Sequence, residues 1–205
     1  MAAQKSLFFA ELENTQSLMM PSGFRYQEDI ISEAEEASLV ASLSKLELKP
    51  FEFHGHIGNR HVTSFGLRYD YATRRVERAN PFPEFIEELR RRAAAFAKRT
   101  VDEIQQGGVN QYPPGAGIGW HKDKPQFGVV VGVSLLSPAT MRLRLATSTG
   151  WIRRSQTVAP RSIYILEGDA RTQWEHSIPP VESLRYSLTF RTLAGRDRSG
   201  HPVER

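Results

Sequence analysis

Two histidines and one aspartate carry the first sign of chemistry in this sequence. His121 and Asp123 close a Pro/Gly-rich stretch, Asn110-Gln-Tyr-Pro-Pro-Gly-Ala-Gly-Ile-Gly-Trp-His-Lys-Asp123. If this stretch is extended, residues two apart project from the same face, and an imidazole and a carboxylate converge on one point. Such a pair suits a divalent metal, although short His-x-Asp pairs also arise by chance. His176 supplies a third group much later, in Gly168-Asp-Ala-Arg-Thr-Gln-Trp-Glu-His176, a turn leading into a short strand. The chain has no cysteine, so disulfides and thiolate sites are excluded and any metal takes nitrogen and oxygen ligands. Two histidines and one carboxylate leave coordination positions open for reactants.

The run Arg185-Tyr-Ser-Leu-Thr-Phe-Arg191 is the second informative piece. By strand alternation, Arg185, Ser187, Thr189 and Arg191 share one face, while Tyr186, Leu188 and Phe190 form a core face. The two arginines stand about 20 Å apart along the strand, and their long arms can bend inward to bracket a small dianion. A planar guanidinium binds both oxygens of a carboxylate. The competing reading is the solvated outer face of an edge strand.

Residues 51–78 bring three histidines (His54, His56, His61) and five arginines (Arg60, Arg68, Arg74, Arg75, Arg78) among Phe65, Tyr69 and Tyr71. His54 and His56 form an alternative metal pair without a third ligand nearby, and a polar hairpin with solvated histidines accounts for them better. The interleaved arginines and aromatics fit either a solvated hairpin or a surface on which bases stack and phosphates are neutralised.

The elements that must position these groups follow from periodicity. Phe24 and Tyr26 alternate as a short strand. Ser32-Glu-Ala-Glu35 has capping-box spacing ahead of Ala37, Val40, Leu43 and Leu46, which predicts a helix over about 33–46. Pro83 opens a second helix, with Phe85, Ile86, Leu89, Ala93 and Phe96 as its apolar stripe and Arg90–Arg92 partly on its solvated side. Strands are expected at 106–112, 127–135, 140–147, 151–158, 161–167 and 183–192. Met141, Leu143 and Leu145 form one inward face, and Gly128-Val-Val-Val-Gly-Val133 is apolar enough to be buried on both faces. Helices first and strands after predict an α+β fold with a β-sandwich or jelly-roll core. The 205 residues suit one domain, 23–205, preceded by a loosely packed, flexible arm over 1–22 that carries Leu7, Phe8 and Phe9. With 40% hydrophobic and 24% charged residues and no membrane-length apolar run, the expectation is a cytoplasmic protein that does not engage membranes. A net charge of +4 is compatible with a polyanionic partner without establishing one.

Taken together, Asn110-x-Tyr112, Gly-Trp-His121-x-Asp123, His176 and Arg185-x-Ser-x-Thr-x-Arg191 resemble the AlkB family of Fe(II)- and 2-oxoglutarate-dependent dioxygenases. The likeness is close over about 106–193 and looser before it. It implies a double-stranded β-helix core over that range with a substrate lid over about 51–78. It also implies Fe(II) on His121, Asp123 and His176, with 2-oxoglutarate and O2 as cosubstrates. The far carboxylate of 2-oxoglutarate would pair with Arg185 and Tyr112, Asn110 and Arg191 would hold the end near the metal, and Ser187 would also bind the cosubstrate. Arg68, Tyr69, Tyr71, Arg74 and Arg75 would meet the substrate, with the protein acting as a monomer on alkylated single-stranded DNA or RNA and removing N-alkyl groups oxidatively. Two positions depart from the family's repair members. Ser187 stands where they usually carry Asn, and Pro125 where they carry an acidic residue that contacts the damaged base. The Ser form is more like branches acting on tRNA or other substrates, so the same chemistry on a modified tRNA base, a protein or a lipid is a second expectation. A β-sandwich binding module without metal chemistry is a third, and it requires four co-ordered motifs to be coincidence.

Overall fold

A computed structural model describes residues 19–53, 56–196 and 202–203. In chain order the elements are β1 (Phe24–Gln27), α1 (Glu33–Leu43), β2 (Lys49–Phe53), β3 (His56–Phe65), β4 (Leu67–Asp70), β5 (Arg75–Arg78) and α2 (Glu84–Ala97). A 3-10 turn (Val101–Glu103) leads into β6 (Ile104–Tyr112), β7 (Ile118–His121), β8 (Phe127–Leu135), β9 (Ala139–Thr147), β10 (Gly150–Val158) and β11 (Ser162–Leu166). Then come α3 (Gly168–Thr172), β12 (Glu175–Ile178), β13 (Arg185–Leu193) and a short pair, β14 (Gly195–Arg196) with β15 (Pro202–Val203). His54 and most of the N-terminal arm, with Leu7, Phe8 and Phe9, lie outside the described residues.

The helix starts follow their sequence signals. Ser32 Oγ accepts the Glu35 N–H at 3.2 Å, and Glu35 Oε2 accepts the Ser32 N–H at 2.7 Å, which closes the capping box of α1. Regular helix ends at Leu43, and the turn continues to Leu46 through its N–H to the Leu43 carbonyl. Pro83 sits just ahead of α2, where its missing N–H costs no hydrogen bond. The arginine run of α2 is less solvated than its composition suggests. Arg90 donates to the carbonyls of Ile104 and Val101, and Arg92 donates to the Ile30 carbonyl and Glu35. Two of these three arginines thus fasten α2 to its surroundings.

Strands β6 to β13 distribute between two sheets. The larger runs β1-β11-β8-β13-β6-β3-β2, and the smaller runs β10-β9-β12-β7. The double-stranded β-helix is this arrangement: β6, β8, β11 and β13 form one wall, and β7, β9, β10 and β12 form the other. One face of the large sheet takes the helices. Leu43, Ile86, Leu89 and Ala93 pack there with Val131, Val133, Ile163, Leu188 and Phe190. Its other face meets the small sheet through Tyr112, Val130, Met141, Leu143, Tyr164 and Trp174. Strand β8 contributes to both clusters, which is why its sequence is a continuous apolar run.

The expected alternation in β13 holds, and its polar face does not meet solvent. β13 is a central strand, hydrogen-bonded to β6 on one side and β8 on the other, and Arg185 and Ser187 are only 1% and 3% exposed. This rules out the edge-strand reading and turns four polar side chains into the interior lining of the sandwich. No helix among the described residues is long and apolar enough to cross a membrane.

Candidate metal and cosubstrate site

Antiparallel register brings the two histidines together. His121 on β7 lies directly opposite His176 on β12, with ring centroids 4.2 Å apart. Asp123, two residues past His121, turns inward on the same side. One ligand atom from each of these three residues lies within 4.8 Å of the others, close enough to share a single ion.

The surroundings fix the state of each group. His121 Nδ1 is 2.9 Å from the Gly119 carbonyl, which can only accept, so Nδ1 carries the proton and Nε2 keeps a free lone pair. Burial lowers the affinity of His121 for a second proton. Burial, then the neighbouring His121 ring, push His176 down to about 3. Both imidazoles are therefore neutral at neutral pH. Burial alone would raise the Asp123 carboxyl, but Arg191 and the two histidines outweigh it and hold the acid well below the usual carboxylate range. Arg191 does this through Nε and Nη2, at 3.1 and 2.9 Å from Asp123 Oδ1. Two neutral imidazoles and one ionised carboxylate are the donor set a divalent metal needs.

The loop after Asp123 is pinned from beneath. Arg171 on α3 donates to the carbonyls of Lys124, Phe127 and Gly128 at 2.6, 2.7 and 3.0 Å. This buried arginine holds the segment that carries the carboxylate.

A pocket opens between the sheets over the three residues. Asn110, Tyr112, Arg185, Ser187 and Arg191 all line it, so the structure gathers every residue expected to hold metal or cosubstrate. Register explains the convergence: Arg185 pairs with Tyr112 and Ser187 with Asn110 across β13 and β6. The Arg185 guanidinium stands 5.1 Å from the Tyr112 ring, and its Nε donates to Ser134 Oγ at 3.0 Å. Its Nη1 is buried without a hydrogen-bond partner. A buried cation with an unanswered donor at the inner end of a pocket fits a ligand carboxylate.

Two polar residues of the pocket lining, Arg60 and Tyr164, escaped the sequence reading as site residues, as did Gly132 and Ser134, which stand against Tyr164 and Arg185. Tyr164 lines the site, and burial pushes its phenol up to about 12, so it is a neutral hydrogen-bonding group there. A Cβ at Gly132 would fall 2.1 Å from Tyr164 Cζ, so glycine is what lets this ring lie across β8. A glycine inside an otherwise apolar strand was the available signal. Arg60 lines the pocket from β3, and no local feature distinguished it from the other arginines of its segment.

The five expected substrate contacts lie apart from the pocket lining, on the β4–β5 hairpin. Tyr69 and Tyr71 meet edge to face at 5.1 Å, and the Lys124 ammonium, one residue after Asp123, sits 5.3 and 4.9 Å from their ring centres. Arg68 pairs with Glu77 at 3.1 Å. Arg74, at φ 57°, and Arg75 are exposed at the hairpin end.

Comparison with known proteins decides the family. The 2OG-Fe(II) oxygenase superfamily profile matches residues 23–191. The chain belongs to that superfamily. Among curated relatives, the Alkylated DNA repair protein ALKBH8 homolog of Arabidopsis thaliana is 26% identical over 178 residues, covering 74% of this chain and 49% of its own length. The mouse tRNA (carboxymethyluridine(34)-5-O)-methyltransferase ALKBH8 is 26% identical over 181 residues, covering 83% of this chain and 26% of its own. The chain thus spans half or less of these two relatives. Among solved structures, OsALKBH1 aligns with a TM-score of 0.62 at 16% identity, over 85% of this chain and 98% of that one, a likeness of fold. The AlkB resemblance and the double-stranded β-helix both hold. As a 2OG-Fe(II) oxygenase, the protein is a dioxygenase that uses Fe(II), 2-oxoglutarate and O2.

Proposed function

We propose that this oxygenase oxidises alkyl groups on modified bases of DNA or RNA, with His121, Asp123 and His176 holding Fe(II). The observation that carries the cosubstrate assignment is the buried Arg185 with its free Nη1, in the same pocket as the His-Asp-His cluster. Arg185 takes the far carboxylate of 2-oxoglutarate as a charge-assisted pair, and the Tyr112 and Tyr164 hydroxyls flank it. Asn110 and Ser187, side by side in register on β6 and β13, border the cosubstrate nearer the metal. Arg191 works on Asp123, keeping the carboxylate ionised and aimed. When bound, the iron supplies oxygen activation coupled to decarboxylation of the cosubstrate to succinate. The apolar wall of Val130, Met141, Leu166 and Ile178 keeps water from that centre.

The β4–β5 hairpin serves as the lid of the expected 51–78 segment. Tyr69 and Tyr71 offer faces for a flipped base, and Arg68, Arg74 and Arg75 face its phosphates. The names of the two ALKBH8 relatives, one a DNA repair protein and one a tRNA methyltransferase, support a nucleic-acid substrate. A modified tRNA base is the second reading, favoured by Ser187 and Pro125 at the two positions that depart from the repair pattern.

The test has two stages. Anaerobic titration of the protein with Fe(II) and then 2-oxoglutarate should develop the visible absorbance of the chelate, and no band would remove the metal assignment. A panel of methylated single- and double-stranded DNA and RNA oligonucleotides, at several salt concentrations, should then show salt-dependent binding and formaldehyde release. Chelate formation without either would direct the same chemistry to a protein or lipid.

A further inference from the structure

Resting on the nucleic-acid reading above, we infer that the base this site accepts is uncharged or anionic, and that Arg60 selects against cationic bases. The pocket lining contains three arginines (Arg60, Arg185 and Arg191) and a single carboxylate, Asp123. That carboxylate is committed: its Oδ1 accepts from Arg191, and the reading above assigns it to the metal. No acid among the lining residues is left to answer a positive charge on a substrate.

Arg60 is the arginine that neither buried role absorbs. Its guanidinium stands 3.9 Å over the Phe51 ring, and its Nη1 donates to Asn110 Oδ1 at 3.3 Å. Both partners are neutral. Among the described residues no carboxylate lies within ion-pair distance of Arg60, so its charge is held in place without being cancelled.

The groups above the pocket reinforce this bias. Lys124 adds a second cation against the Tyr69 and Tyr71 rings. The acids of the hairpin are occupied: Asp70 accepts the Thr73 N–H at 2.7 Å, and Glu77 pairs with Arg68. Two residues past Asp123 stands Pro125, which has no charge. A base alkylated to a fixed cation would enter beside Arg60, with no uncommitted acid among the described lining residues to offset its charge. A neutral base instead presents a carbonyl oxygen that the Arg60 fork can bind, and a carboxylate substituent binds it more strongly. At the dielectric of a partly exposed site, one like-charge contact a few ångströms away disfavours binding by more than about tenfold.

Oligonucleotides carrying 3-methylcytosine or 3-methyluracil isolate the effect. Both bear the same N3-methyl group on rings of nearly the same shape, and only the first is cationic at neutral pH. Binding would be measured by fluorescence anisotropy on the anaerobic Fe(II)- and 2-oxoglutarate-loaded protein, at fixed salt, with an unmethylated strand as reference and formaldehyde release alongside. The expected result is a preference for 3-methyluracil of at least about tenfold in the wild type. Arg60→Lys should retain the preference and Arg60→Glu should erase or reverse it, with folding of each variant checked by circular dichroism. Equal or tighter binding of 3-methylcytosine by the wild type would overturn the inference. So would an Arg60→Glu variant that weakens all three strands alike, since that pattern marks a phosphate contact. If neither methylated strand is distinguished from the reference and no formaldehyde forms, the nucleic-acid reading itself fails and the inference falls with it.

Discussion

Replacing Arg185 by methionine should move stability and cosubstrate binding in opposite directions. Arg185 is 1% exposed, it has Ser134 as a side-chain hydrogen-bond partner, and its Nη1 has none. A buried donor left unanswered costs about 1–3 kcal/mol, and a buried unpaired charge costs more. Methionine fills a similar volume without that charge, so the ligand-free variant should be at least as stable as the wild type. The carboxylate pair it deletes is worth about 1.5–3 kcal/mol, which predicts a loss of roughly 10- to 150-fold in affinity for 2-oxoglutarate. Urea denaturation, run anaerobically with Fe(II) and with or without 2-oxoglutarate, reads both effects. At a hundredfold excess over its dissociation constant the ligand should stabilise the wild type by about 2.7 kcal/mol, and Arg185→Met at the same concentration should keep only about 0.3–1.4 kcal/mol of this. Arg185→Lys, which offers a point charge in place of a fork, should fall between them. Undiminished ligand stabilisation in Arg185→Met would place the cosubstrate elsewhere. A ligand-free variant several kcal/mol less stable would mean that the guanidinium is a structural keystone.

Features that depend on neighbours in sequence were legible, and those that depend on pairing between distant strands were not. The capping box at Ser32–Glu35, the proline ahead of α2 and the apolar run of β8 each act through local backbone rules, and each element lies where those rules put it. Alternation also sorted β13 into two faces correctly. Whether its polar face met solvent or the interior depended on β13 lying between β6 and β8, which no local pattern encodes. The same holds for the candidate metal cluster: His-x-Asp spacing pairs His121 with Asp123, but only the antiparallel match of β7 with β12 sets His176 opposite His121. Arg60 is the limiting case. It sits among arginines of similar sequence context, and what singles it out is the pairing of β3 with β6, which puts it beside Asn110. Arg90 and Arg92 show the converse, since a charged run read as partly solvated spends two of its members on backbone carbonyls.

Three further outcomes are expected. Alanine at His121, Asp123 or His176 should abolish the Fe(II)–2-oxoglutarate absorbance band while leaving the circular dichroism of the fold intact, and a retained band would remove that residue from the ligand set. Gly132→Ala places a methyl 2.1 Å from Tyr164 Cζ, so the ring must leave β8. Overpacking of this kind costs about 1–3 kcal/mol of stability and should weaken cosubstrate binding, whereas wild-type affinity would show that Tyr164 is mere packing. The pH dependence of the metal-free protein has a definite sign. His176 is held down to about 3 by burial and His121 is lowered as well, while both titrate near 6.5 in the unfolded chain. Between those values the unfolded state binds protons that the folded state refuses, so stability is full above pH 6.5 and falls as the pH drops through the window. Each histidine contributes a slope of at most ~1.4 kcal/mol per pH unit. Urea midpoints from pH 7.5 down to 5 should therefore decline in the wild type and decline less in His176→Gln, which has one fewer buried group to protonate. Equal slopes in the two proteins would show that His176 takes up its proton without unfolding, and that the site is more open to water than its burial implies.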